Sequence, residues 1–437
     1  MRRFWKLVLG GLIGGALASC AGADSPPASE PVLQTLPSVT PTAQATLTPT
    51  PPLRPEPTPA GPRRLTIWLP DSIAPPDNPE AAVQREVWAS ALEALEENLT
   101  VTFRLKRPAD VGGMFQTLRS ASLVAPSSIP DLALLRRGDL LAAVTLGLIQ
   151  PIGSAAFSVP IQDLRPAEVA LGSVDGDLYA LPFTIDVSHL ALGPQQEMAG
   201  SESDWTFEAV LEREISFRFP AGRTGIASET FLAQYRAAAG AFNTDAMPVD
   251  AEALEAVYRF YEEALAAGIV PANVLDYAAS SDYIDQVLSG AVTAGVLSST
   301  TYLTLRDSGT VLDYAPLPTL DGVPTTLVDG WMWVITTSDA DRQEHALQFL
   351  NWVFDVDRHA TYARTIHMLP SGQSTLRQSA DEDYATFVAS LIANASLPVS
   401  DAAGGVIGRA MQNGLAAVLR GERTAEIAAQ DVIDQVG

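Results

Sequence analysis

Residues 330–363 read GWMWVITTSDADRQEHALQFLNWVFDVDRHATYA, and this stretch joins two kinds of hydrophobic pattern. Its first part, WMWVITT, is an apolar and β-branched run that follows a glycine, which predicts a buried strand. In the second part Ala346, Leu347, Leu350 and Val353 recur at helical spacing, which predicts the apolar face of a helix. A strand that leads directly into such a helix is typical of α/β domains.

The same alternation runs through residues 63–146. Three strands are predicted there, RRLTIWLP, LTVTFRLK and PDLALL, and each is followed by a helical pattern. Strands that alternate with helices form a parallel sheet with helices on its faces. Ligands bind such sheets beyond the carboxyl ends of the strands, which points to Trp68–Ser72 and Arg137–Asp139.

Composition excludes several classes of function. The chain has 437 residues and a formal net charge of -24, which argues against a nucleic-acid partner because such binding depends on Lys and Arg at phosphates. Its four histidines form no compact ligand set, so neither a metal nor a cofactor is predicted. His345 and His359 lie in helical patterns and are expected on the surface.

The amino terminus has the order of a bacterial export signal. Arg2, Arg3 and Lys6 precede an apolar stretch, Leu7 to Leu17, that is too short to span a bilayer. The string Leu-Ala-Ser-Cys that ends at Cys20, the only cysteine of the chain, resembles the lipobox of bacterial lipoproteins. Cys20 is therefore the predicted site of lipidation; an ordinary cleaved signal with an incidental thiol and an uncleaved anchor are the alternatives.

Residues 20–63 are rich in proline and threonine and contain no aromatic residue. Such a composition has little apolar surface to offset the entropy of ordering, so a disordered tether is predicted after a signal peptide at 1–19. A proline-rich ligand for another domain is the alternative. About 375 residues follow, enough for two lobes with separate cores.

Four stretches in this order resemble the bacterial extracellular solute-binding proteins of family 1, the receptor subunits of ABC importers best known for sugars. They are PDLALLRRGDLLAAVTLGLIQPI, VDGDLYALPF, LSGAVTAGVLSSTTYL and the stretch that begins GWMWVITT. The resemblance covers about residues 64–400. It implies an α/β, two-lobe periplasmic-binding-protein-like fold of type II, with central mixed sheets flanked by helices, hinge strands between the lobes and the ligand in the cleft.

Mapped onto this chain, the resemblance implies that lobe one comprises 64–185 plus 291–330 and lobe two 186–290 plus 331–437. The crossing strands are expected near DVSHLAL and WMWVITT. Two or more crossings restrict the motion of the lobes to a hinge.

A sugar needs carboxylates or amides at its hydroxyl edge and aromatic planes at its apolar faces. The resemblance places the following residues near the cleft: Asp71, Asp139, Tyr179, Phe183, Asp186, Tyr302, Trp331 and Trp333. Trp331 is the first choice for a stacking platform, with a place in the hinge core as the alternative, and Trp333 fits the core better.

Asp186 stands in an otherwise apolar run, where an unpaired charge would be costly. It is a candidate acceptor for a ligand hydroxyl, with a buried salt bridge as the alternative, and Asp139 and Tyr302 are comparable candidates. Trp68, Asp71 and Glu229 complete the set as weaker candidates, because surface loops and helix starts often carry such residues.

The predicted function is that of an extracellular, lipid-anchored, monomeric receptor that captures a sugar or oligosaccharide by hinge closure and delivers it to ABC permease subunits. The alternatives are a secreted glycoside hydrolase-type enzyme and a sensing or scaffold protein with the same fold. No catalytic motif stands out, so no enzymatic activity is predicted. Pro194 and Gln195 replace a tyrosine and an asparagine that are frequent in the family, which leaves peptides, polyols and other small solutes open.

Overall fold

The predicted strands and helices of the α/β region are present in a computed structural model of the chain. The structure describes residues 63–96, 98–108, 112–153, 161–194, 205–222, 227–241, 249–398 and 401–436, all of them within the unit that spans residues 59–437. Cys20, the predicted signal peptide and the predicted tether lie outside the described residues.

The first sheet has six strands in the order β12-β6-β11-β3-β1-β2. They are β1 (Arg63–Pro70), β2 (Leu99–Lys106), β3 (Leu132–Leu135), β6 (Ala180–Asp186), β11 (Asp329–Ile335) and β12 (Leu369–Pro370). β1 is parallel to both β2 and β3, whereas β11 is antiparallel to β3 and β6. The sheet is therefore mixed, as the family resemblance implied.

The second sheet has four strands in the order β10-β7-β9-β8. They are β7 (Ser188–Leu192), β8 (Phe217–Arg218), β9 (Ala294–Ser298) and β10 (Asp313–Ala315). A separate hairpin joins β4 (Ser173–Val174) to β5 (Asp177–Leu178). Its turn residues Asp175 and Gly176 both have positive φ, 52° and 89°, which is the backbone that an Asp-Gly turn adopts.

The chain passes between the two sheets at Val187, since β6 belongs to the first sheet and β7 to the second. The crossing predicted near DVSHLAL is therefore present. The return crossing lies in residues 316–328, before β11, so WMWVITT itself stays within the six-stranded sheet. Strand pairing also departs from the predicted lobes at 291–330, because β9 and β10 pair with β7. The apolar pattern of β9 predicts burial, but its pairing partner lies about 100 residues away and leaves no local signal.

Helices cover both sheets. They are α1 (Pro79–Leu95), α2 (Met114–Val124), α3 (Arg137–Thr145), α4 (Pro166–Gly172), α5 (Phe207–Glu212), α6 (Glu229–Ala238), α7 (Ala251–Ala266), α8 (Ile284–Leu288), α9 (Ser299–Asp307), α10 (Ala340–Val353), α11 (Val356–Thr365), α12 (Gln373–Ser379), α13 (Glu382–Ala393), α14 (Asp401–Leu419) and α15 (Ala425–Val436). At the amino terminus of many of these helices, a side chain accepts a hydrogen bond from a backbone N–H group of the first turn. Asp339 does so for the N–H group of Arg342 in α10.

One apolar cluster fills the face of the six-stranded sheet under α1, α10 and α11. Trp88, Phe183, Trp333 and Phe349 meet there, with the rings of Phe183 and Trp333 5.7 Å apart. A second, larger cluster covers the other face and the four-stranded sheet, where α14 and α15 pack on α7. The predicted helix face Ala346, Leu347, Leu350 and Val353 is the part of α10 that joins the first cluster.

Two histidines that the sequence placed on the surface are buried, so that prediction was wrong. His359 is 1% exposed, and its Nε2 lies 2.6 Å from the carbonyl oxygen of Phe183. His345 is 5% exposed, and its Nε2 lies 2.6 Å from Glu96. The Nε2 atom of each ring meets a partner from a distant segment, which offsets the cost of burying a polar group.

Candidate ligand-binding junction between the sheets

Asp186 ends β6 at the point where the chain leaves the first sheet. Its Oδ1 accepts hydrogen bonds from the Ser299 hydroxyl at 2.6 Å and the Thr300 N–H at 3.1 Å. Both donors belong to the first turn of α9, where backbone N–H groups have no partner inside the helix. Burial raises the pKa of Asp186, against the opposing effect of these hydrogen bonds and of the Arg136 charge. Asp186 therefore connects one sheet to a helix that follows a strand of the other.

Asp329 begins β11 and stands opposite Asp186 in the β6–β11 register. Its Oδ2 accepts hydrogen bonds from Arg136, at 2.6 Å from Nη2 and 2.9 Å from Nε. The attraction of Asp329 raises the pKa of Arg136 most; burial opposes this, and the charges of Asp186 and Glu229 add to it. The Arg136 side chain is nevertheless 48% exposed, so the ion pair is open to solvent and to a ligand.

Asp139 lies three residues after Arg136, in the first turn of α3. It is half-buried and makes no hydrogen bond within the described ranges. Burial raises its pKa to about 6; Arg136 lowers this value and Asp329 raises it. A carboxylate in this state can accept hydrogen bonds from a ligand without breaking a contact of the protein.

Glu229 is the exposed first residue of α6, and its charge acts on Arg136. Together with Asp139, Asp186 and Asp329 it gives four carboxylates near one guanidinium, a group that we call the junction. Of the residues predicted from the sequence, the structure therefore brings Asp139, Asp186 and Glu229 together. Arg136 and Asp329 were not predicted from the sequence. Arg136 nevertheless directly follows the carboxyl end of β3, which is where ligands are expected to bind a parallel sheet.

The predicted aromatic platform is not at the junction. Trp331 is 7% exposed, and together with fully buried Trp333 and Phe183 it belongs to the cluster under α10 and α11. Tyr302 is 2% exposed; its ring stacks on Tyr384, with centroids 4.9 Å apart, and its hydroxyl donates to the Leu312 carbonyl at 3.1 Å. These side chains serve as core, the alternative that the sequence left open for Trp331 and favoured for Trp333.

The remaining candidates lie around β1 and the β4–β5 hairpin. Trp68 is 2% exposed, with the Lys106 ammonium 4.4 Å from its ring centroid, and its Nε1 has no hydrogen-bond partner within the described residues. Asp71 is half-buried just after β1, and its N–H donates to the Lys106 carbonyl at 3.0 Å. Tyr179 is half-buried against the second cluster. Among the described residues, no hydrogen bond or ion pair joins these three side chains to the junction.

Hydrogen bonds join the chain segments that pass between the two sheets beside the junction. The Ser188 N–H donates to the Thr326 hydroxyl at 2.9 Å, and that hydroxyl lies 3.0 Å from the Ser188 carbonyl. A third segment joins them, because the Val328 N–H donates to the Ser396 carbonyl at 2.9 Å. Three segments of chain therefore run side by side where one sheet gives way to the other, which favours rotation about this line.

A sequence profile of bacterial extracellular solute-binding proteins matches residues 90–417, well over half of the 437 residues. The chain belongs to this family of solute-binding proteins. The family resemblance derived from the four sequence stretches is therefore confirmed. No curated protein matches the chain significantly.

Solved structures place this solute-binding protein in the two-lobe fold. The sugar-binding protein MalE from the phytopathogen Xanthomonas citri is 17% identical with a TM-score of 0.66, over 85% of this chain and 96% of that one. The cyclic alpha-maltosyl-1,6-maltose binding protein from Arthrobacter globiformis is 15% identical with a TM-score of 0.63, over 86% and 98%. A family 1 extracellular solute-binding protein from Bifidobacterium longum subsp. infantis is 14% identical with a TM-score of 0.63, over 86% and 99%.

The described residues of this solute-binding protein lack two features. Among them, no helix combines the length and the apolar character needed to cross a bilayer. They also include no group of three or more His, Cys, Asp or Glu side chains arranged to hold a metal ion.

Proposed function

We propose that this solute-binding protein is the receptor of an ABC importer and that it captures a sugar or small oligosaccharide at the junction. The observation that carries the proposal is the position of Asp186. This carboxylate ends a strand of one sheet and is hydrogen-bonded to the helix that follows a strand of the other. A solute bound there would contact both lobes only when they close, and would therefore shift the protein toward the closed form.

The chemistry of the junction fits a polyhydroxylated ligand. Carboxylate oxygens accept the hydrogen bonds that hydroxyl groups donate, and the half-exposed guanidinium of Arg136 donates to hydroxyl and ring oxygens. Asp139 is the side chain with free acceptor capacity, whereas Asp186 and Asp329 are already hydrogen-bonded. The names of the structural neighbours, which include sugar-binding and maltodextrin-binding proteins, support the same ligand class.

We propose that the lobes close as a hinge, and the three side-by-side segments at Ser188, Thr326 and Ser396 support this. Such a connection limits the relative motion of the lobes, and the closed surface is what permease subunits would recognise. We further propose that the protein works as a monomer outside the cell and is held to the membrane by lipid on Cys20. Labelling with a radioactive fatty acid tests the anchor, with Cys20→Ser as the control that should release the protein from the membrane fraction.

A thermal-shift screen with mono-, di- and oligosaccharides, polyols and short peptides tests the ligand class, because a ligand bound only by the folded state raises the melting temperature. Calorimetry on a positive sugar then compares the wild type with Asp139→Asn and with the matched control Glu344→Gln, an exposed residue of α10. The proposal expects Asp139→Asn to weaken binding about tenfold, the loss of one charge-assisted hydrogen bond, and the control to bind normally.

Two results would contradict this proposal. If peptides stabilise the protein and sugars do not, the ligand class is wrong. If a sugar binds and is released as a smaller product, the protein is an enzyme and not a receptor.

A further inference from the structure

A groove of about 670 Å³ lies between α5 and α7, on the side of the protein built around the four-stranded sheet. Its described lining residues belong to these two helices, apart from the loop residue Leu320. The Phe207 N–H donates to the Thr319 carbonyl at 2.8 Å, so the start of α5 and this loop are fixed to each other. The position of this loop relative to α5, and with it the shape of the groove, is therefore fixed by the fold.

The floor of the groove is apolar. Phe207 and Phe260 stack there, with ring centroids 4.2 Å apart and an angle of 10° between the planes. Leu211 is half-buried beside them, and Leu320 is 50% exposed. The two rings are only 5% and 2% exposed, so the apolar surface that the groove leaves open to water is that of Leu211 and Leu320. Apolar surface of this kind gains stability when a partner covers it.

Glutamates form both rims. Glu208 and Glu212 stand one turn apart on α5, and Glu252 and Glu263 line the facing side of α7. All four side chains are exposed, and none makes a hydrogen bond or ion pair within the described residues. Arg259, the single arginine among the described residues that line the groove, is paired with Glu255 on its own helix.

We infer that this groove is a docking site for a cationic amphipathic helix of a second polypeptide. Its apolar stripe would cover Leu211 and Leu320 above the stacked rings, and its Lys or Arg side chains would meet the glutamates on both rims. Helix-in-groove binding fits because helices form both walls and no residue of a described strand lines the groove. The partner should carry a positive charge, since the four unpaired carboxylates of the rims repel an acidic surface.

Other occupants fit this groove less well. A second copy of this chain would bring its own excess of acidic residues, 51 against 27 basic ones. A linear polyamine would neutralise the rims but would leave the exposed side chain of Leu320 uncovered. The inference does not depend on the ligand at the junction, because the groove and the junction have no described residue in common.

Fluorescence anisotropy with a labelled synthetic peptide of about 18 residues, five helical turns, tests the inference. The peptide carries a leucine stripe flanked by lysines. A scrambled peptide has the same composition and charge but no stripe. The helical peptide is expected to bind at least about tenfold more tightly than the scrambled one, and more weakly as salt screens the rim charges.

The variant Glu208→Lys/Glu263→Lys reverses one charge on each rim, and Leu320→Ser removes the exposed apolar contact. The matched control Glu86→Lys/Glu344→Lys makes the same change in net charge on α1 and α10, far from the groove. We expect the rim variant to weaken binding about tenfold more than the control does, and Leu320→Ser to weaken it severalfold.

Three results would overturn the inference. One is equal binding of the helical and scrambled peptides. Another is equal loss in the rim variant and the control, which would mean attraction to the net charge alone. The third is full displacement of the peptide by spermidine in the presence of high salt. Circular dichroism of each variant shows that it is folded, and every variant keeps the floor of Phe207 and Phe260 intact.

Discussion

Asp186 and Asp329 stand opposite each other in adjacent antiparallel strands, and each is held by a group from another part of the chain, Ser299 for Asp186 and Arg136 for Asp329. Like charges directly opposite each other in a sheet are destabilising. The structure compensates with a guanidinium on one carboxylate and a helix amino terminus on the other. The passage between the sheets therefore depends on electrostatic contacts as well as on packing.

A double-mutant cycle of Arg136→Gln and Asp329→Asn measures the first of these contacts. We expect each single variant to lower the free energy of unfolding and the double variant to recover part of the loss. The coupling should be about 1 kcal/mol or less, because the arginine is half exposed. Urea denaturation of the four proteins gives this value, and strictly additive losses would show that the ion pair contributes nothing.

Gly330 is required by the close approach of β11 to β6. A Cβ atom at this position would lie 1.9 Å from the Thr184 carbonyl oxygen, so Gly330→Ala must push the two strands apart. We expect a loss of at least about 3 kcal/mol in the free energy of unfolding, or failure to fold. Gly138→Ala in α3 is the control, because a Cβ there meets nothing within 4 Å. Equal stability of the two variants would refute the strand geometry.

Trp331 should matter for stability and not for ligand affinity. Its side chain is 7% exposed in the cluster under α10, so Trp331→Leu leaves a partly filled cavity and should cost about 2 kcal/mol or more. Calorimetric affinity for a bound sugar should change less than twofold. A large loss of affinity with unchanged stability would restore Trp331 as a stacking platform.

Asp139 makes the fold less stable as pH rises. Its pKa of about 6 is above the value near 4 of an unfolded chain, so its contribution is full below pH 4 and is lost as pH rises through 6. The loss is at most about 3 kcal/mol. The melting temperature of Asp139→Asn should therefore rise relative to that of the wild type as the pH increases from about 4 to about 8. The control Asp341→Asn changes an exposed residue, and its melting temperature should depend on pH in the same way as that of the wild type.

His189 and His359 act in the opposite direction. Burial lowers the pKa of each to about 4, below the value of an unfolded histidine, so the stability that they contribute is present above about pH 6.5 and is lost as pH falls through 4. In NMR titrations both imidazole rings should stay neutral down to about pH 5. An imidazole signal from either residue that titrates near pH 6.5 would contradict their burial.

Local patterns predicted most of the strands and helices, because periodicity reports burial on one face. At the Asp175–Gly176 turn, the residue types match the positive φ angles. Patterns did not reveal which sheet β9 would join, since its hydrogen-bond partners in β7 are distant in sequence. His359 was misplaced for the same reason, because its partner Phe183 comes from another element.

The candidate site was predicted in part. Asp186 was found because a charge inside an apolar run demands a partner, and Asp139 because it follows the carboxyl end of β3. Trp331 was overrated, since an aromatic residue at a crossing strand suits a sugar and a core equally well. Asp329 and Arg136 were missed because an ion pair between residues 193 positions apart has no signature in the sequence.

The packing of α15 on α7 places the end of the described chain on the side of the four-stranded sheet, while α1 covers the six-stranded one. Since Cys20 is the only cysteine, thiols introduced at Ser90 on α1 and Glu426 on α15 in a Cys20→Ser background would accept a pair of dyes without competition. Energy transfer between them would turn the protein into an optical sensor whose signal follows the closing of its lobes.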